Sequence, residues 1–95
     1  MAEETGIVFV GRKPPMNYVT AIMTSLSSSE DKNVILKARG RAITTAVDVV
    51  EIVRNRFMKD LEVSDISIGT EEMPPREGQT SPRMVSTMEI TLTRK

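Results

Sequence analysis

Eight apolar residues, Ala42, Ile43, Ala46, Val47, Val49, Val50, Val53 and Phe57, share one wide stripe when residues 42–57 are wound at about 100° per residue. Such a helix must lie against a second layer, because its stripe forms the core face. Ile52 falls on the opposite side beside Arg56, with no intramolecular core to join, and hints at a subunit contact.

Short strand-like runs supply the second layer. Ile7-Val8-Phe9-Val10 is continuously apolar and ends at Gly11, which reads as a strand buried on both faces. Pro14-Pro15 then opens a helix over roughly residues 15–28, with Met16, Val19, Ile22, Met23 and Leu26 at helical spacing until the serines at 27–29. Asn33 to Ala38 reads as a second strand. Val63–Glu72 and Met84–Thr93 nearly alternate, placing Ile66 and Ile68 on a single face of the first and Met88, Ile90 and Leu92 on a single face of the second, and read as an antiparallel pair. Residues 73–83 between them are too long and polar for a tight turn and read as a protruding hairpin arm. The expected fold is α/β in order, a two-layer α+β domain: βαβαββ, with one mixed four-stranded sheet, two helices and a long arm.

The 95 residues are expected to form one domain over 1–95, near the size at which a partner subunit helps stability. Cysteine and histidine are absent, which removes thiol chemistry, disulfides, the usual zinc sites and the commonest acid–base residue. The acidic start, Met1-Ala2-Glu3-Glu4-Thr5, lacks signal-peptide character and no run is long enough to span a membrane, so a soluble intracellular protein is expected. Thirteen bases balance thirteen acids overall, yet residues 12–59 hold nine bases against four acids and residues 60–95 four against seven. A local basic field therefore coexists with zero net charge.

That field concentrates at two loops. Gly11-Arg12-Lys13-Pro14 follows the first strand and Arg39-Gly40-Arg41 follows the second, and each opens a helix. If the two strands are parallel, both loops lie at one end of the sheet, where ligands of open α/β sheets collect. Arginines at a helix start oppose the helix dipole unless an anion binds both, and phosphate is the obvious anion. Arg54 and Arg56 suit the C-terminal end of their helix without any ligand, and Arg54 can pair with Glu51. Arg76 and Arg83 flank the arm tip, although Glu71, Glu72 and Glu77 would repel phosphate nearby.

Other chemistry is thinly supplied. Met16, Met23 and Met88 fall on core-facing positions and read as packing. Tyr18, Phe9 and Phe57 are the only aromatic residues, a poor stacking platform for single-stranded nucleic acid. Asp48 and Glu51 could share a metal, but a solvated helix face paired with nearby arginines is the favoured reading. No catalytic constellation, Gly-rich phosphate loop or metal-ligand spacing stands out, so neither an enzyme nor a cofactor is expected.

At Gly11–Val19, Lys37–Ile43 and Ala46–Phe57 the sequence resembles the Alba family of archaeal chromatin proteins. The resemblance implies a fold similar to the C-terminal domain of translation initiation factor three and a homodimer that coats or compacts double-stranded DNA without sequence preference. It also implies RNA binding in some members, including RNase P-type assemblies, and allows a heterodimer with a paralogue. Family dimers lay their body on the DNA backbone while two arms reach along the minor groove. On this resemblance Arg12 and Lys13 occupy the family's basic pair, and Arg39, Gly40 and Arg41 its basic turn. Asn17 and Tyr18 fall in the matched stretch of the binding surface, Arg76 and Arg83 in the arm, and Phe57 at an aromatic position of dimer–dimer contacts on DNA. The family's pair is commonly Lys-Lys, its first lysine acetylated in some members to weaken binding. Arg12 keeps its charge and cannot take that mark, which leaves Lys13 as the modification candidate.

Overall fold

The computed structural model describes residues 4–27 and 31–94; most of the acidic start and Ser28–Ser29 lie outside the described residues. The elements are β1 (Glu4–Val10), α1 (Pro15–Ser27), β2 (Asp31–Arg39), α2 (Ala42–Ile52), a π-helical turn (Val53–Phe57), β3 (Leu61–Met73) and β4 (Arg83–Arg94). They build one four-stranded sheet in the order β1-β2-β4-β3. β1 runs parallel to β2, while β4 is antiparallel to both β2 and β3. The expected two-layer, mixed-sheet α+β fold is the one observed.

The connections β1-α1-β2 and β2-α2-β3 move across the sheet in the same direction, and right-handed crossovers then place both helices on one face. Val10, Val34, Leu36, Ala38, Ile90 and Leu92 meet Val19, Ile22, Leu26, Ala46, Val49, Val50 and Val53 in the single buried layer. The opposite face has no cover among the described residues. Ile7 and Phe9 point to that face and are exposed, so β1 is not buried on both sides as its continuous apolar run suggests. Two helices cover one face of a sheet, not two.

Four helical positions, Met16, Val47, Ile52 and Phe57, differ from the stripe reading. Met16 is exposed, standing about 120° around α1 from Ile22. Val47 is likewise exposed on the flank of α2, whereas Ile52 is half-buried and packs against the core. Val47, not Ile52, is therefore the exposed large apolar side chain of α2. Phe57 is 47 % exposed because the last turn widens: the Met58 N–H donates to Val53 O at 2.7 Å, five residues back, which breaks the 100° register. Met58 takes the buried place that the stripe assigned to Phe57.

β3 and β4 pair from Leu61↔Arg94 to Met73↔Arg83, with one register shift between Val63 and Asp65, so the arm expected over 73–83 is the outer end of a longer ladder. The molecule measures 47 × 31 × 18 Å with a radius of gyration of 14.8 Å. A compact chain of this length would have a radius of about 12.4 Å, and the excess reflects the projecting ladder.

Candidate nucleic-acid interface

In the parallel β1–β2 pair Val10 registers with Ala38, so both strands end at the same edge and the two basic loops emerge side by side. The first is held from beneath. Tyr18, buried on α1, accepts hydrogen bonds through its hydroxyl from the Gly11 N–H at 2.9 Å and the Lys13 N–H at 3.0 Å. Arg12 and Lys13 are thereby presented outward while Tyr18 acts through the loop. Asn17 is exposed on the first turn of α1, its N–H donating to Pro14 O at 3.0 Å.

The second loop turns on Gly40, which sits at φ +54°, a conformation glycine adopts without strain. The Gly40 N–H donates to Ser86 O at 2.9 Å and its carbonyl accepts from Ile43 N–H at 3.1 Å, tying the turn to β4 and to α2. Arg41 forms the N-terminal boundary of α2 without any side-chain cap, and no acidic residue stands in the first turn. The positive end of the helix is thus left without an internal anion, flanked by Arg39 and Arg41.

At this edge the ends of the strands, the start of α2 and the arm line one open groove that reaches onto both sides of the sheet. Arg12, Lys13, Lys37, Arg39, Arg41, Arg76 and Arg83 line it, against two carboxylates, Glu71 and Glu89. Each carboxylate already engages a cation: Arg39 Nη1 lies 3.0 Å from Glu71 Oε1, and Lys37 Nζ lies 3.9 Å from Glu89 Oε2. Arg39 also donates to Met73 Sδ at 3.4 Å, which draws it towards the arm. Arg83 is half-buried at the base of the arm tip and donates to Pro74 O at 3.4 Å. Among the described residues Arg12, Lys13 and Arg41 have no carboxylate at salt-bridge distance.

Gly11, Arg12, Lys13, Arg39, Gly40, Arg41, Arg76 and Arg83 therefore share one surface, which Asn17 and Phe57 do not line. Sequence reasoning missed Lys37 and Phe9, which also line the groove. The two-helix topology was the available signal: alternate residues of β1 had to face outward. Arg54 pairs with Glu51 at 2.9 Å, as expected for a helix-end cation, and among the described residues no acidic cluster could hold a metal. No described helix is long and apolar enough to cross a membrane.

Comparison with known proteins identifies the family and the fold. The model of the Alba family matches residues 6–70. Among curated proteins, DNA/RNA-binding protein Alba 1 of Archaeoglobus fulgidus is 50 % identical over the whole of both chains. DNA/RNA-binding protein Alba of Picrophilus torridus is 44 % identical, over 99 % of this chain and all of that one. Among solved structures, Alba from Thermoplasma volcanium superposes with a TM-score of 0.85 at 43 % identity, over 94 % of this chain and all of that one. ALBA1 from Trypanosoma brucei gives 0.71 at 28 % identity, over 98 % of this chain and 72 % of that one. With its full-length similarity to archaeal relatives and their fold, this chain belongs to the Alba family.

Proposed function

We propose that this chain binds double-stranded DNA without sequence preference, as a homodimer, and serves as an architectural protein of the chromosome rather than as an enzyme. The observation that carries this reading is the convergence of two basic loops at the uncapped start of α2, in a groove continuous with the arm. Arg12, Lys13 and Arg41 are free to meet phosphates, and the α2 amides add donors at the same place. Arg76 and Arg83 travel with the arm along the minor groove. Lys13 is the lysine whose acetylation would lower the affinity.

Dimerisation has its own support. On the helix-covered side, β3 and β4 run on past α2, leaving Ile66, Ile68 and Met84 exposed, with Val47 exposed on α2. Ile66 registers with Ile90 and Ile68 with Met88, so these residues continue the core face outside the core. The surface area is 6586 Å². A compact monomer of this mass would expose about 5,500 Å². The difference is comparable to the roughly 800 Å² per partner of a standard interface. Phe57, exposed at the far end of α2, is the contact proposed between neighbouring dimers on DNA, and a paralogue sharing the β3–β4 patch could replace one protomer.

The test is a titration of duplex DNA at several salt concentrations. Four groove cations per protomer without a carboxylate partner among the described residues, Arg12, Lys13, Arg41 and Arg76, predict a slope of log affinity on log salt of about −7 for a dimer, approaching about −9 if Arg39 also joins. Unrelated sequences should bind alike; strong preference for one sequence, or a slope near zero, would contradict the reading. A second reading, binding of structured RNA within a ribonucleoprotein, is favoured by the DNA/RNA-binding names of the relatives. A matched RNA duplex in the same titration decides between them, since A-form RNA is recognised by shape and 2′-hydroxyls.

A further inference from the structure

Phe9 is a groove residue that duplex binding does not explain. It is 72 % exposed on the uncovered face of the sheet, in edge strand β1. Its register partner on that face is Lys37, with Ile7 two residues back and Ile35 half-buried beside it. Lys37, Arg39, Arg12 and Lys13 line the same groove around the ring. Phosphate has no use for a phenyl ring, and the bases of an intact duplex are stacked out of its reach.

The patch of Ile7, Phe9 and Ile35 is too small for a stable protein interface, which needs roughly 800 Å² per side. Its rim is cationic, so the occupant should be anionic and carry a flat apolar face. An unpaired nucleotide has both: every base offers a π-face to an aromatic ring, while its phosphates follow the cations. A flat ring on an open sheet face, a strand spacing of about 4.8 Å from a lysine, is an arrangement that splayed bases can use.

We infer that this groove is also a binding site for single-stranded nucleic acid, in which an unpaired base stacks on Phe9 while Lys37 and the Arg12–Lys13 loop hold its flanking phosphates. The inference rests on the proposed reading of the groove as the nucleic-acid surface, and extends it to strands without a partner. It makes Phe9 a recognition residue for unpaired bases.

The experiment compares the full chain with Phe9→Leu and Phe9→Trp on single-stranded RNA, single-stranded DNA and duplex DNA, each single strand carrying one 2-aminopurine as a stacking reporter. Phe9→Leu should weaken single-strand binding about tenfold and abolish the quenching of the 2-aminopurine. Its duplex affinity should change far less than its single-strand affinity, with the salt slope kept because no cation is lost, and Phe9→Trp should retain both affinity and quenching. The tighter of the RNA and DNA arms identifies the sugar preferred. Equal loss on duplex and single strands, or single-strand binding indifferent to Phe9→Leu, overturns the inference while leaving duplex binding standing. If the unaltered chain binds no nucleic acid in any arm, the proposed function fails with it.

Discussion

Arg39 stands at the centre of the basic edge but is not free, and Glu71→Gln measures what holds it. The two groups lie 3.0 Å apart, with side chains 53 % and 49 % exposed. Partners this accessible to water contribute about 0.2–1 kcal/mol when paired. A phosphate that recruits Arg39 must first displace Glu71, so each protomer gives up that amount on binding. Removing the carboxylate should therefore tighten duplex binding by about 0.4–2 kcal/mol per dimer, roughly 2- to 30-fold at low salt. The salt dependence should steepen as well, by up to about 0.9 per protomer, because Arg39 then contributes a full phosphate contact. Fluorescence anisotropy on a labelled duplex, repeated across salt concentrations, reads both quantities. Glu71→Gln in an Arg39→Ala background supplies the control: the gain should largely vanish there, since the two substitutions act on one pair. A gain of the same size without Arg39 would refute the displacement argument and leave only general charge repulsion.

The other predictions separate surfaces that the sequence places close together. Ile68→Asp puts a charge on a side chain that is 78 % exposed and should convert the dimer to monomers in sedimentation, with little loss of monomer stability. Phe57→Glu should keep the dimer and remove only cooperativity along DNA; a binding isotherm that stays cooperative rejects the dimer–dimer assignment. Tyr18→Phe deletes the acceptor of two loop amides. It should lower stability by about 1–3 kcal/mol and weaken duplex binding although Tyr18 is buried beneath the loop, measured by thermal unfolding and the same anisotropy assay. Unchanged affinity in a destabilised Tyr18→Phe variant would show that Arg12 and Lys13 do not depend on that loop geometry.

Much of this site is legible without coordinates because chain order carries it. A strand, a helix and a parallel strand bring the residues after Val10 and after Arg39 to one edge, whatever the packing details. The outward faces were harder to read. Phe9 belongs to a run whose apolar continuity suggests burial on both sides, and only the count of two helices against two sheet faces argues otherwise. Phe57 left the core through a widened turn at Val53–Phe57, a segment without glycine or proline to announce it.

Arg39 and Glu71 were both visible as charges, one counted toward phosphate binding and the other against it, and their pairing across 32 residues was not. Its origin lies in the register of three strands. Arg39 pairs with Thr87 on β4, and Thr87 pairs with Gly69 on β3. A β-carbon at Gly69 would lie 3.2 Å from the Thr87 hydroxyl, so the strands are tight there and the route over them is low. Arg39 reaches across these two short residues to Glu71, two positions further along β3. The restraint on the most central arginine is thus set by uncharged positions, and replacing Gly69 with a larger residue would bear on Arg39 without touching a single charge.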